Sequence, residues 1–131
     1  GVDLDENDRA RGDAVRFTFR FRVEGAGEVV LCTAGDANEP ARLAARAGEV
    51  WLTAGRQEIR CGKVSPAGWT AVEVRTWGAR TSASVEGGPA AEVEHHPVAT
   101  WLYLGQGYRT GARLGGFVVD VASVRSRVEH R

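Results

Sequence analysis

Glu92 and Glu94 are the two carboxylates whose spacing best suits acid–base work. In Glu92-Val93-Glu94-His95-His96 they stand two apart, so an extended chain turns both to one face. Paired carboxylates on one face can cleave a glycosidic bond. The same pattern also describes a solvated outer strand, and that plainer reading is the better one. His95-His96 precedes Pro97, which favours a turn; adjacent histidines on a strand point to opposite faces and chelate poorly together. No Gly-x-Ser-x-Gly elbow supports a serine nucleophile. Gly105-Gln106-Gly107 leads into Tyr108 with no helix behind it, so no phosphate-binding loop is expected.

Other groups carry weaker chemistry. Cys32 and Cys61 lie in expected strands, on the parity of apolar neighbours. If they met, a disulfide would contribute roughly 3–4 kcal/mol and indicate an oxidising compartment. The alternative is two buried thiols acting as small hydrophobes, and the sequence leaves both open. The acidic run Asp3, Asp5, Glu6 and Asp8 could offer oxygen ligands to a structural calcium ion, but it lacks a spaced glycine-containing loop; no other cofactor is expected. Arg16, Arg20 and Arg22 share a strand face; they read as a solvated surface or as an anion-binding stripe.

The aromatic residues are more informative. In residues 49–53 Val50 and Leu52 share one face and Trp51 the other. In residues 69–77 Val72 and Val74 share a face, while Trp77 lies with Glu73 and Arg75. In residues 101–104 the leucines are opposed by Trp101 and Tyr103. If the aliphatic side chains form the core, these aromatic rings point outward. An outward ring is a platform for the C–H face of a pyranose. The candidate ligand-binding residues are therefore Trp51, Trp77, Trp101 and Tyr103, with Tyr108 in the following glycine-rich loop. Core packing or a protein interface are the competing readings. Trp69, at a strand entrance, is expected to plug the core.

These residues need strands to position them. Val15, Phe17, Phe19, Phe21 and Val23 alternate with Arg16, Thr18, Arg20 and Arg22, strict period two with β-formers throughout. The run Val29, Val30, Leu31 and Cys32 implies a strand buried on both sides. Ala47-Gly48 and Gly78-Ala79 mark hairpin tips. Residues 41–47 contain helix-forming alanines, but the segment is short and Gly48 cuts it. About ten short strands spaced by glycine turns specify an all-β antiparallel sandwich. Residues 1–14 form a polar leader or edge strand, and residues 15–131 form a single domain.

Bulk properties set limits. The 17 basic and 17 acidic residues cancel, so neither nucleic acid nor an anionic membrane is an expected partner. Lys63 is the only lysine, so nearly every cation is a planar, multi-donor guanidinium. No apolar run reaches membrane-spanning length. Gly1 stands first rather than Met, and the expectation is a processed product or an excised domain.

The segments Gly68-Trp69-Thr70-Ala71-Val72-Glu73-Val74 and Thr81-Ser82-Ala83-Ser84-Val85-Glu86-Gly87 resemble the central hairpin of concanavalin-A-like and laminin-G-like jelly rolls. Leu102-Tyr103-Leu104-Gly105 is similar to their following strand. Gly116-Phe117-Val118-Val119-Asp120-Val121 is similar to their closing strand. The resemblance spans about residues 15–128 and implies a jelly-roll sandwich. Glu86 stands where the family usually has aspartate, and only Asp120 where two acidic residues are common. Both departures weaken any inherited calcium site. The Glu-x-Asp-x-x-Glu strand of glucanases with this architecture is missing. The resulting expectation is a non-catalytic carbohydrate-binding or accessory domain of a larger secreted, extracellular protein. Its partners would be a polysaccharide or glycan and a neighbouring catalytic domain. The alternative is a protein-interaction module with no sugar ligand; a third reading is a small hydrolase or lyase using Glu92 and Glu94.

Overall fold

The computed structural model describes residues 2–3, 14–24, 27–34, 40–66, 68–95, 101–104 and 118–129; for residues 101–104 and 118–129 it gives backbone path and pairing. The described residues form eleven strands: β1 (Val2–Asp3), β2 (Ala14–Glu24), β3 (Glu28–Ala34), β4 (Ala41–Arg46), β5 (Glu49–Ala54), β6 (Gln57–Lys63), β7 (Thr70–Trp77), β8 (Arg80–Val85), β9 (Ala91–Glu94), β10 (Trp101–Leu104) and β11 (Val118–Glu129). They form a six-stranded sheet, β1-β10-β3-β4-β5-β6, and a five-stranded sheet, β11-β2-β7-β8-β9. Every pairing is antiparallel. The fold is an antiparallel β-sandwich of the jelly-roll kind. Among the described residues, no helix is long and apolar enough to cross a membrane.

Period-two alternation builds the core between the layers. From β2 come Val15, Phe17, Phe19 and Phe21, all buried. Their rings follow one another at 5.8 and 6.5 Å between centroids, tilted as aromatic neighbours prefer. Val72 and Val74 of β7 face them in register, Phe19 opposite Val72 and Phe17 opposite Val74. The other layer supplies Leu43, Ala45, Val50 and Leu52. The β3 strand is buried along both faces after Glu28, as its apolar run requires. A register shift between Val30 and Cys32 lets Val29, Leu31, Cys32 and Ala34 all join the core. Val30 and Thr33 are also buried, outside that cluster.

Local chemistry fixes the turns. Residues 41–46 are a strand, not a helix: tertiary pairing with β3 and β5 overrides alanine's preference. The β4–β5 hairpin turns through Ala47 and Gly48 with φ of 49° and 76°, positive at both positions as a tight two-residue hairpin demands. Gly62 of β6 is required for a different reason. A Cβ there would stand 2.9 Å from the Val85 Cβ of β8 in the opposing sheet. Where β6 and β9 meet, Gln57 closes the seam: its Nε2 donates to the Glu94 carbonyl at 2.7 Å and its Oε1 accepts from the Glu94 N–H at 3.0 Å. One side-chain amide thus satisfies both backbone groups of an edge residue.

Candidate functional site

The outer face of the five-stranded sheet carries a shallow depression, about 320 Å³ in volume. It is lined by Thr18, Phe19 and Arg20 on β2, Ala71, Val72 and Glu73 on β7, and Ser84 on β8, together with Gly87, so its wall is mainly apolar with a few polar side chains. The register explains the assembly: Thr18 pairs with Glu73, Glu73 with Ser84, and Arg20 with Ala71. Residues directly opposite in antiparallel strands share a face, so three strands deliver their polar parity to one place. Ala71 makes the dip, since only a methyl group stands there between Trp69 and Glu73.

Glu86 secures this end of β7. Its Oε1 accepts from the Ala71 N–H at 2.9 Å, and its own N–H donates to the Ala71 carbonyl at 2.8 Å. Glu86 adopts φ 52°, a conformation costly for a residue with a side chain, and the carboxylate's charge-assisted bond offsets that cost. Arg16 grips Glu73 in a two-pronged pair, Nε to Oε1 at 3.2 Å and Nη2 to Oε2 at 3.2 Å. Arg20 and Arg22 bring their guanidinium carbons within 5.5 and 5.3 Å of the Trp69 ring centre. Arg75 lies 5.6 Å from that of Trp77.

On the outer face of the six-stranded sheet, Arg46 lies 4.5 Å over the Trp51 ring. It also pairs with Glu58 and reaches Glu28 at 3.6 Å. Arg60 pairs with Glu49 at 2.7 Å. One face of the Trp51 indole is thus occupied by a guanidinium that carboxylates hold in place.

The aromatic candidates do not converge on one platform. Trp51 and Trp77 are half-buried on strands of different sheets, hence on opposite sides of the sandwich. In β10, Tyr103 stands opposite Thr33 and Trp101 opposite Asp3, which places both in the six-stranded sheet with Trp51. Two strands separate β10 from β5, a span of about 14 Å at ordinary strand spacing. Tyr108 lies outside the described residues, as do residues 4–13 of the acidic leader.

One expectation is corrected, and one open alternative is decided. Trp69 is not a core plug: it is half-buried on the polar parity of β7, beneath two arginines. Cys32 and Cys61 are free thiols, since β3 and β6 lie three strand spacings apart, about 14 Å, beyond disulfide reach. Burial pushes the Cys32 thiol up to about 12 and the Cys61 thiol up to about 11, the latter eased by a backbone hydrogen bond with Leu52. Both shifts disfavour the thiolate, the nucleophilic form of the side chain.

Glu92 and Glu94 do share the outer face of β9. Both reach Arg80, at 3.3 and 3.7 Å, an arrangement that ties the edge strand to its neighbour. His95 Nε2 lies 2.7 Å from the Thr81 hydroxyl, itself 3.0 Å from the Thr76 hydroxyl. Thr81 donates to Thr76 and Thr76 to the Arg80 carbonyl, so His95 joins a short chain of hydroxyl hydrogen bonds that ends on the backbone. Among the described residues, no three His, Cys, Asp or Glu side chains converge as a metal site. Parity marks the groove's members as outward, but only the register brings Thr18, Glu73 and Ser84 together.

Comparison with solved structures shows the same fold. An alginate lyase of polysaccharide lyase family 7 superimposes with a TM-score of 0.67 at 8% identity, over 89% of this chain and 60% of that one. The alginate lyase from Corynebacterium sp. gives 0.64 at 9% identity, over 92% and 60%. A sialidase of Trypanosoma rangeli gives 0.63 at 17% identity, over 89% of this chain and 20% of the sialidase. The chain thus spans about three fifths of the length of these lyases and a fifth of the sialidase. No protein-family model matches the sequence, and no curated protein matches it at a significant level.

Proposed function

We propose that the chain is a non-catalytic carbohydrate-binding or accessory module of a larger, secreted carbohydrate-active protein, and that its glycan lies in the groove between β2 and β7. The carrying observation is the groove's composition: Thr18, Arg20, Glu73 and Ser84 line one mainly apolar depression, and Arg20 reaches from it to the Trp69 indole. Sugar hydroxyls need both donors and acceptors, and a few convergent polar groups give a concave site its specificity. The jelly roll shared with alginate lyases and a sialidase is consistent with a glycan partner. The non-catalytic part of the reading rests on Glu92 and Glu94 both being engaged by Arg80 at the edge hairpin. Secretion and attachment to a catalytic domain belong to the same proposal. The outward aromatic rings are secondary here, because each described tryptophan on an outer face carries an arginine over its ring.

The test is tryptophan fluorescence titrated with a glycan panel that includes alginate. Saturable quenching or a spectral shift with at least one polysaccharide, weakened by Glu73→Gln, is the expected result. No response across the panel contradicts the proposal. Glycan cleavage abolished by Glu92→Gln would instead establish the enzymatic reading. A second reading, docking onto a neighbouring domain without sugar, is favoured by Trp51, a half-buried indole amid ion pairs on the opposite face. It predicts domain association lost in Trp51→Ala.

A further inference from the structure

Resting on the glycan-binding reading, we infer that the groove selects an acidic glycan, one bearing carboxylate or sulfate-ester groups, and that Arg20, with Arg22 beside it, holds the anionic group on the Trp69 plate. The argument begins with parity. Arg20 and Arg22 stand two apart on β2 and share its outer face, where both are exposed. Phe21 pairs with Thr70, so Arg22 comes opposite Trp69, the residue before Thr70, and Arg20 reaches the same ring diagonally. Two guanidinium groups thereby approach one indole, at 5.5 and 5.3 Å.

The indole restrains both guanidinium groups before any ligand arrives, so less side-chain freedom is lost on binding. A guanidinium is a donor-only fork. Its geometry matches the two oxygens of a carboxylate or sulfate better than a lone hydroxyl. Arg22 stands opposite Asp120 in the register with β11, so Arg20, which also lines the groove, is the principal contact.

The rest of the groove agrees. Glu73, the carboxylate in its lining, is neutralised by the paired contacts from Arg16 and does not repel an anionic sugar. The chain carries equal numbers of acidic and basic residues, so the cationic character of this face is local. Diffuse attraction to any polyanion is therefore not expected.

Isothermal titration of the full chain with matched pairs of polymers tests this: polygalacturonate against its methyl ester, and dextran sulfate against dextran. The charged member of at least one pair should bind about tenfold or more tightly than its neutral counterpart. The pair that shows the difference tells carboxylate from sulfate. Arg20→Gln should remove about tenfold or more of that affinity, and Trp69→Ala should weaken it as well. Arg60→Gln, on the opposite face, should not. Circular dichroism of each variant confirms folding.

Equal binding of charged and neutral members overturns the inference and leaves the module reading standing. Loss of all glycan binding from the wild-type chain removes both. Equal effects of Arg20→Gln and Arg60→Gln, or duplex DNA bound as tightly as the charged polymers, mean unspecific electrostatics and also overturn it.

Discussion

On the six-stranded sheet, Arg46 lies on Trp51 and meets Glu58 and Glu28, while Arg60 meets Glu49. On the five-stranded sheet, Arg20 and Arg22 lie on Trp69 and Arg16 takes Glu73. Both faces are built from arginine, glutamate and tryptophan on the polar parity of their strands. They differ in what surrounds the indole. Trp51 sits in a lattice where glutamates hold the stacked arginine. Trp69 adjoins a depression opened by the small Ala71, and one of its arginines lines that depression. The same alphabet therefore gives a closed, ion-paired face on one side and a recessed cationic face on the other.

The comparison can be broken first at what the faces share. Phe19→Ala empties a buried aromatic position in β2, the strand that carries the groove arginines. It should cost about 3–5 kcal/mol in urea denaturation and abolish binding through unfolding. A loss below about 1 kcal/mol would mean the sheets are not packed as described.

Gly62→Ala attacks the meeting of the layers near β6. The new methyl would crowd the Val85 Cβ, and about 1–3 kcal/mol of destabilisation is expected from overpacking, read in the same experiment. Groove affinity should survive in the fraction that folds.

The tryptophans sharpen the contrast. Trp51→Ala should cost about 1–2 kcal/mol of stability with glycan affinity unchanged. Trp69→Ala should weaken glycan affinity more than stability. Reversed outcomes would exchange the roles of the two faces.

The smallest effect expected is at Arg60 and Glu49. A double-mutant cycle should give about 0.2–1 kcal/mol, reduced by added salt, with no change in binding. A coupling above about 2 kcal/mol would show that this pair is less solvated than its exposure indicates.

Much of this arrangement was legible in residue order. Alternation in β2 identifies Phe17, Phe19 and Phe21 as core and Arg16, Arg20 and Arg22 as surface, because one period-two pattern admits one orientation. Ala47-Gly48 and Gly78-Ala79 locate two hairpins, because positive φ at a tip restricts residue choice. Trp69 shares the odd parity of Ala71, Glu73 and Arg75, opposite the buried Val72 and Val74, and that parity, not its place at a strand entrance, decides which way it faces.

Other features needed the pairing of distant segments. Parity gives inward or outward but not which layer, so Trp51 and Trp77 looked alike while lying on opposite sides. Cys32 and Cys61 share an inward parity, but three strand spacings separate them. The groove depends on Thr18, Glu73 and Ser84 coming into line, and register across three strands is set by the whole sheet.

Chemical-shift mapping by NMR tests the central claim most directly. On titration with a bound polysaccharide, the backbone amides of Thr18, Arg20, Ala71, Glu73 and Ser84 should move together and saturably, with those of Glu49, Trp51 and Arg60 unmoved. Shifts centred on Trp51 and its ion-paired neighbours, with the β2–β7 groove silent, would contradict the account.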